Sequence, residues 1–236
     1  MTLNDPDVVA RDYADETRLL GRRSIYEASE GSSALDVVWD RIAEAVPRHV
    51  LEVGPGPGEL AQRMATELGA DVVAIDVSPR MVELTRARGI DARIGDVQDL
   101  PFRDGSFDLV VAAWVLFHPA DLDRALSEIS RVLRRGGRLI AATNSEVHLK
   151  ELWELVGADR ISYSFSAENA ESSLRTCFAE VSEYPVDGWV AFADTAMAHD
   201  YVASSIIHGH LADRVPELTR PLRTRRRNVI FVASKS

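Results

Sequence analysis

Strands and helices alternate over about 100 residues near the middle of this chain, which constrains its fold more than any other feature. Short apolar runs are followed by segments with apolar residues every three or four positions, a pattern typical of amphipathic helices. Strands are predicted at 49–53, 71–75, 92–94, 107–115 and 138–142, with helices at 59–68, 78–89 and 122–133. Right-handed crossovers between parallel strands place helices on both faces of a sheet. The sequence therefore predicts a doubly wound, mostly parallel α/β sheet.

The segments on either side of this alternation follow a different rhythm. Residues 1–33 are predicted to form a helical lid, and residues 34–145 the Rossmann-like core, which begins with a helix at 34–45. Residues 146–236 are expected to finish the sheet with an antiparallel last strand and to add a small C-terminal cap. Within them, helices are predicted at 146–156, 167–177 and 194–206, and strands at 180–184 and 228–233.

Length and charge narrow the function classes. A chain of 236 residues can form one large α/β domain with a small addition. Its formal net charge of -10 argues against a nucleic-acid partner, because such partners require a basic surface. No apolar run approaches the roughly 20 residues that span a bilayer, so no membrane association is expected and the chain is interpreted as cytoplasmic. The oligomeric state cannot be inferred.

One basic cluster stands out against this acidic background, at Arg220, Arg223 and Arg225–Arg227. It is interpreted as a solvated turn that leads into the last strand. The alternative is a contact for an anionic group of a substrate.

Glycines follow the first predicted strand, and a carboxylate follows the second. Gly54, Gly56 and Gly58 allow the backbone to approach a ligand closely and to turn sharply into the next helix. Asp76 comes about 20 residues after them, where a carboxylate suits the paired hydroxyls of a ribose. Ligands of open α/β sheets bind at this edge, outside the carboxyl ends of the strands.

The spacing of the glycines distinguishes a dinucleotide from a nucleoside ligand that lacks phosphate. A dinucleotide fingerprint that starts at Gly54 needs a glycine at position 59, where this chain has Glu59. A glutamate at the start of the helix also opposes the negative charge of a pyrophosphate. The pattern therefore disfavours a nicotinamide oxidoreductase and favours a nucleoside ligand without phosphate.

Five segments in order resemble the motifs of class I S-adenosylmethionine-dependent methyltransferases. They are LEVGPGPG at 51–58, AIDVSPRM at 74–81, GDVQDLPF at 95–102, FDLV at 107–110 and VLRRGG at 132–137. The resemblance covers roughly residues 48–145. It is strongest to the small-molecule branch that includes ubiquinone-biosynthesis-type and natural-product methyltransferases.

The resemblance implies how S-adenosylmethionine would be held and S-adenosylhomocysteine released. The loop Gly54-Pro55-Gly56-Pro57-Gly58 would pass under the methionine part, with Glu52 supporting it. Asp76 would accept both ribose hydroxyls. The adenine would lie among Val77, Met81, Asp96 and the Val97 amide, and the methionyl part would face Ala113 and Trp114.

The N-terminal segment 19–26 resembles a lid helix of the same branch. Arg22 would then meet the cofactor carboxylate, as guanidinium–carboxylate pairing favours, and Tyr13 would close the same side. The alternative is that Arg22 and Arg23 form a solvated helix face.

His118 is the candidate catalytic base, because it follows the fourth strand where related enzymes often carry histidine. The alternative is a packing or capping histidine before the helix near Asp121. His208 and His210 flank a flexible glycine and are interpreted as loop residues, so no metal site is expected.

The acceptor pocket is expected to include Tyr26, Trp153, Tyr163 and Trp189. Together these features predict an enzyme that moves a methyl group to N or O, less readily to C, of a small molecule. That molecule would be neutral or cationic, such as a natural-product intermediate. The alternatives are an RNA or protein methyltransferase and a non-catalytic S-adenosylmethionine-binding module.

Overall fold

A seven-stranded sheet forms the centre of the molecule, seen in a computed structural model that describes residues 3–13, 16–26, 29–159 and 162–236. The strands are β1 His49–Val53, β2 Asp71–Asp76, β3 Asp91–Ile94, β4 Phe107–Ala113, β5 Leu133–Asn144, β6 Glu180–Phe192 and β7 Leu222–Ser234. Their order across the sheet is β3-β2-β1-β4-β5-β7-β6. The first five run parallel to one another, and β7 is antiparallel to both β5 and β6. The predicted fold class is therefore confirmed.

Helices cover the sheet and precede it. They are α1 Pro6–Asp12, α2 Thr17–Ser24, α3 Ala34–Ala45, α4 Glu59–Leu68, α5 Pro79–Ala87, α6 Leu122–Val132, α7 Lys150–Leu155, α8 Ala170–Leu174 and α9 Thr195–Ser204, followed by a short 3-10 helix at Gly209–Arg214. Among the helices of the described ranges, none has the length and apolar character needed to cross a membrane.

Two apolar clusters lie on opposite faces of the sheet. Successive residues of a strand point to opposite faces, so Val50 and Leu51 of β1 belong to different clusters, and both are fully buried. α6 contributes Leu126 and Ile129, which share one face of the helix, to the Leu51 cluster. Burial on both faces explains why the central strands are mostly apolar.

The start of α5 agrees with the sequence in detail. The Ser78 side chain accepts a hydrogen bond from the Met81 amide, and Pro79 occupies the first turn. This cap orients α5 directly behind Asp76, the last residue of β2.

The C-terminal half differs from the predicted elements. The helices there are shorter than the predicted 146–156 and 167–177, and both strands are much longer than the predicted 180–184 and 228–233. β6 and β7 pair over 13 residues each, because backbone hydrogen bonding between partners extends a strand regardless of its side-chain pattern. The arginines at 223 and 225–227 consequently lie within β7, and the predicted turn at these positions was wrong.

β4 ends at Ala113 rather than at the predicted Val115. Trp114 adopts a left-handed conformation with φ of 56°, which ends the strand. The predicted turn at Gly136-Gly137 lies inside β5, where the register with β4 shifts. The single sheet contains strands from both 34–145 and 146–236, and the boundaries at 33 and 145 stay predictions.

Candidate functional site

The glycine loop lies where the strand order reverses, between the carboxyl ends of β1 and its neighbours. Gly54, Gly56 and Gly58 all have positive φ values, of 66°, 55° and 84°. A Cβ atom on Gly54 would come within 2.6 Å of the Val115 side chain, and one on Gly58 within 2.7 Å of Thr85 Oγ1. Backbone conformation and close packing therefore both require glycine at these two positions.

The Asp76 carboxylate reaches this loop from the end of β2. Its Oδ1 accepts a hydrogen bond of 2.8 Å from the Ser78 amide, and the Gly56 and Val77 amides also donate to the carboxylate. Burial is the main cause that raises the pKa of Asp76 to about 6. The hydrogen bonds from the three amides lower this pKa, but by less than burial raises it. The glycine loop and the Asp76 carboxylate thus lie together at the carboxyl ends of β1 and β2. This edge of the sheet is called the rim below.

Glu52 is a second, more deeply buried carboxyl group at the same rim. Burial raises its pKa to about 8, with the Asp76 charge adding to the rise and a hydrogen bond from the Ala61 amide opposing it. Its Oε2 has no hydrogen-bond partner within the described residues. A buried carboxyl group with an open oxygen is a feature of functional sites more than of packed cores.

The raised pKa of Glu52 predicts how stability depends on pH. The folded state retains a proton that the unfolded chain releases near pH 4.5, so stability falls as pH rises from there to about 8. We expect Glu52→Gln to remove a decline on the order of 2 kcal/mol between about pH 5 and pH 8. Urea unfolding at several pH values measures this. The exposed Glu180→Gln is the control, and parallel pH profiles of wild type and Glu52→Gln would contradict the prediction.

The residues expected around the adenine lie next along the rim. Asp96 is exposed, follows β3 by two residues, and accepts hydrogen bonds from the Gln98 amide and side chain. Val97 and Met81 are buried, whereas Val77 is 48% exposed. Val77 is an exposed apolar residue beside Asp76, so an apolar surface is available there for a planar ring.

Ala113 is the last residue of β4, and Trp114 follows it on the other side of the glycine loop. The Trp114 indole Nε1 donates a hydrogen bond of 3.0 Å to Asn144 Oδ1, which also accepts from Asn228 at 2.6 Å. These contacts join the ends of β4 and β5 to the middle of β7.

The N-terminal helices cover the rim. Arg22 donates to the buried Asp12 carboxylate at 2.7 Å and to the Ser204 carbonyl at 2.7 Å. Ser78 donates from its hydroxyl to the Tyr13 carbonyl at 2.7 Å, which fixes the lid beside Asp76. Arg22 is thus paired rather than solvated, and its contact with a cofactor stays a prediction.

Ion pairs attach α2 to the Rossmann-like core. Arg80 binds both oxygens of Glu16 at 2.9 Å, and Arg23 contacts Glu59 at 2.5 Å. The Leu19 side chain lies 3.4 Å from the position of a Cβ on Gly56. The lid therefore lies directly over the glycine loop, with apolar contact above it and ion pairs at its edges.

His118 and Tyr13 form a hydrogen-bonded pair under the lid. The Leu3 carbonyl accepts from His118 Nδ1 at 2.9 Å, so the neutral ring carries its proton there and Nε2 accepts from the Tyr13 hydroxyl at 3.0 Å. Burial lowers the pKa of His118 and raises that of Tyr13 to about 12. The site therefore contains a neutral imidazole with a basic nitrogen on a tyrosine hydroxyl.

Two cavities, of about 330 and about 770 Å³, share Tyr163 in their walls. Trp153 lines the smaller one together with His148. The Tyr26 hydroxyl lies 2.9 Å from His148 Nε2, and burial lowers the pKa of His148 to about 4. Trp153 and Tyr163 thus line one cavity, and Tyr26 is bonded to His148 of its wall. Contact of these three side chains with an acceptor stays a prediction.

The middle of the chain matches a known family. Residues 51–141 match the family described as a methyltransferase domain, and this segment contains the end of β1, the whole of β2–β4, most of β5 and the whole glycine loop. The chain carries a methyltransferase domain. The family match covers the rim that bears Glu52, Asp76 and His118, and the lid and the β6–β7 pair lie outside it.

Relatives of this chain agree with that assignment. An uncharacterised methyltransferase of Mycobacterium tuberculosis is 39% identical over 128 residues, covering 51% of each chain. A demethylmenaquinone methyltransferase of Thermus thermophilus is 38% identical over 121 residues, covering 46% of this chain and 55% of its own length. The chain spans about half the length of the curated relatives it matches. The YcgJ protein of Bacillus subtilis shares the fold, with a TM-score of 0.62 and 16% identity over 85% of this chain and 98% of its own.

Two predicted features of the chain lie away from the rim. Trp189 of β6 packs between Arg223 and Arg225 of β7, with ring-to-guanidinium distances of 4.2 and 5.4 Å, and lines neither cavity. His210 contacts the Ile207 carbonyl through Nδ1. Within the described ranges, no three His, Cys, Asp or Glu side chains converge to hold a metal ion.

Sequence reasoning missed Asp12 and His148 as members of the site. Asp12 and His148 each pair with a predicted residue, Arg22 and Tyr26, across 10 and 122 positions of the chain. His148 follows the carboxyl end of β5, so its position after a predicted strand was the one available signal. Asp12 offered none, because its role depends on how the lid folds back.

Proposed function

We propose that this chain transfers a methyl group from S-adenosylmethionine to an oxygen or nitrogen atom of a small molecule. The observation that carries the proposal is the hydrogen bond between the Gly56 amide and the Asp76 carboxylate at the rim of the methyltransferase domain. It joins the turn that suits the methionine part to the carboxylate that suits a ribose. The methyltransferase family implies S-adenosylmethionine as the methyl donor.

The residues of the rim fit this cofactor. S-adenosylmethionine carries no phosphate, so the carboxylates of Glu59, Glu52 and Asp76 do not oppose it. A Cβ atom at Gly56 would extend toward Leu19 and narrow the space between the loop and the lid. The buried Oε2 of Glu52 has no hydrogen-bond partner among the described residues, which supports a functional role of this part of the rim.

Each proposed cofactor contact follows from a position on the rim. Gly54, Pro55, Gly56 and Gly58 support the methionine part above Glu52, and Ala113 with Trp114 borders it. Asp76 accepts the ribose hydroxyls, whereas Val77, Met81, Asp96 and Val97 surround the adenine. Arg22 and Tyr13 close the site from the lid, formed by residues 1–33.

The cofactor supplies an electrophilic methyl group on a sulfonium, and the protein aligns the acceptor with it in a dry site. His118 takes the proton that an attacking hydroxyl or amine must lose, through Nε2 and the Tyr13 hydroxyl bound to it. Burial holds His118 neutral at pH 7, so it is ready to accept a proton. Tyr13 and the closed lid keep bulk water from Nε2.

The acceptor lies in the cavities near His118, bordered by Tyr163 and Trp153, with Tyr26 behind His148 of the cavity wall. Phe117, Trp153 and Tyr163 contribute aromatic rings to cavities whose size suits a small molecule such as a natural-product intermediate more than a folded macromolecule. Residues 146–236 supply most of these side chains and act as the cap of the site.

Two assays test the proposed function. Titration calorimetry is expected to detect binding of S-adenosylmethionine and none of NAD. Incubation with methyl-labelled cofactor is expected to label compounds in amine or phenol pools and not tRNA. Binding of NAD in preference to S-adenosylmethionine would contradict the cofactor, and label confined to tRNA or protein would contradict the small-molecule acceptor.

Asp76→Ala tests the ribose contact directly. We expect cofactor binding to weaken by roughly 1–3 kcal/mol, because the lost hydrogen bonds run to an ionised acceptor. Wild-type affinity should also fall about tenfold between pH 7 and pH 5, since the ionised carboxylate is the better acceptor and its pKa is about 6. Calorimetry measures both effects. The control is Asp71→Ala at the exposed start of β2, and an unchanged affinity of Asp76→Ala would refute the contact.

A further inference from the structure

The smaller cavity, of about 330 Å³, lies beside the carboxyl end of β5. Its wall includes Glu146 and His148, which come shortly after Asn144, the last residue of β5. The Asn144 side chain accepts a hydrogen bond of 3.0 Å from the Trp114 indole, so this wall begins next to the end of β4. Ligands of open α/β sheets bind at the carboxyl ends of the strands, and the cavity lies at that edge.

Carboxylates dominate the charge of the cavity wall. Glu146, Glu154 and Asp159 line it, whereas Lys150 is the one cationic side chain among the described residues of the wall. Lys150 lies 3.3 Å from Glu154, so these two charges offset each other. Glu146 and Asp159 form no ion pair with any residue that the structure describes. Burial lowers the pKa of His148 to about 4, so its ring is uncharged at pH 7. The wall therefore has an excess of negative charge.

This negative charge acts on Tyr163, which also lines the cavity. Burial is the main cause that raises the pKa of Tyr163, and the charges of Tyr201, Glu146 and Glu168 raise it further. Glu168 accepts hydrogen bonds from the Ser145 hydroxyl and the Glu146 amide, so its carboxylate is held at this end of the wall. Two carboxylates thus lie close enough to the Tyr163 hydroxyl to change its ionisation.

Aromatic rings form another part of the same wall. Trp153 lines the cavity together with Tyr163 and is half-buried. The Trp153 ring centroid lies 6.0 Å from that of Tyr201 and 5.3 Å from that of His208, so packing keeps the indole on the wall. The face of an aromatic ring attracts a cation, and tryptophan does so most strongly. Aromatic rings beside uncompensated carboxylates suit a positively charged group of low hydration.

We propose that the smaller cavity binds an ammonium group of the acceptor, so that this chain methylates small molecules that carry a protonated or quaternary amine. The inference rests on the proposed function, because it takes the cavity to be part of the acceptor site. Glu146 and Asp159 supply the negative charge, and the Trp153 and Tyr163 rings supply the apolar contact. A neutral molecule of the same shape gains the apolar contact alone, and a carboxylate or phosphate group is repelled.

Matched pairs of a cation and its neutral analogue test this preference. Choline is paired with 3,3-dimethylbutan-1-ol, and tyramine with 4-propylphenol, and each is titrated into the chain in the presence of S-adenosylhomocysteine. At least one cation is expected to bind about tenfold or more tightly than its neutral analogue. The same cation should shift the indole N–H resonance of Trp153, which is assigned as the signal that Trp153→Phe lacks.

Two variants connect the preference to the wall. Glu146→Gln keeps the size of the side chain and removes its charge, so the ratio of cation to neutral affinity should fall about threefold. Trp153→Leu removes a ring face and should lower the same ratio about threefold or more. Glu180→Gln, at the exposed start of β6, changes the net charge equally but lines neither cavity, and it should retain the wild-type ratio.

Three results would overturn the inference. They are equal binding of cation and neutral analogue in both pairs, no binding of any of the four compounds, and an undiminished ratio in both wall variants. A purely structural role of Glu146 and Trp153 would lower the melting temperature without changing the ratio. S-adenosylhomocysteine binding is measured separately, so its absence refutes the proposed function, whereas its presence without a preference for cations refutes only the assignment of the cavity.

Discussion

Replacement of His118 by alanine is expected to slow methyl transfer about 10²–10⁴-fold, the usual contribution of a positioned general base. The acceptor must lose a proton as its oxygen or nitrogen attacks, and Nε2 of His118 is the basic nitrogen at the site. Cofactor affinity should stay within about a factor of two, because His118 contacts Leu3, Tyr13 and Phe117 rather than the glycine loop. The rate is measured with an amine or phenol that the wild type methylates in the labelled-cofactor assay.

The pH profile provides a second test of the same role. The neutral imidazole is the active form, and burial lowers the pKa of His118 below its ordinary value of 6.5. The wild-type rate should therefore stay constant down to pH 6.5 and fall only under more acidic conditions. His49→Ala, an exposed histidine at the start of β1, is the control. A His118→Ala rate equal to that of wild type, or a loss explained entirely by weaker cofactor binding, would leave His118 as a packing residue.

The rim of the sheet could be predicted because the sequence patterns that specify it lie in short contiguous segments. β1, the glycine turn, β2 and the Ser78-Pro79 cap occupy short contiguous segments, and each has a recognisable pattern of its own. The parallel arrangement then brings the ends of β1 and β2 together without further information. The Asp76 side chain consequently lies at the glycine loop, as the spacing of the sequence predicts.

Other parts of the site depend on contacts between distant segments. Tyr13 and His118 are 105 positions apart, and nothing in either local sequence predicts that they bond. The length of β6 is set by its pairing with β7, so Trp189 lies in a strand and packs on two arginines of its partner. Side-chain periodicity does not predict such pairings, because it indicates which face of a helix or strand is buried but not which segment of the chain covers that face.

Gly58→Ala is expected to destabilise the fold by about 2–4 kcal/mol, the combined effect of a left-handed conformation and an overpacked side chain. Gly58 has a φ of 84°, and its added Cβ would lie 2.7 Å from Thr85 Oγ1 and 2.9 Å from the Thr85 backbone. Thr85 is fully buried on α5 and donates to the Gly56 carbonyl, so it cannot move without disturbing the glycine loop. Cofactor binding should therefore fall together with the free energy of unfolding.

Gly69 supplies a control at the opposite end of α4, which Gly58 precedes and Gly69 follows. It has a φ of 65°, and no atom lies within 4 Å of its added Cβ. Gly69→Ala should destabilise by only about 1 kcal/mol, the strain of the left-handed conformation alone, and should leave cofactor affinity unchanged. The difference between the two variants isolates the clash with Thr85. Thr85→Ala in the Gly58→Ala background removes Oγ1 and Cγ2 but leaves the crowded backbone of residue 85 in place, so it should recover part of the lost stability. Equal unfolding free energies for Gly58→Ala and Gly69→Ala would show that the glycine loop is not packed against α5, and that its place on the rim depends on conformation alone.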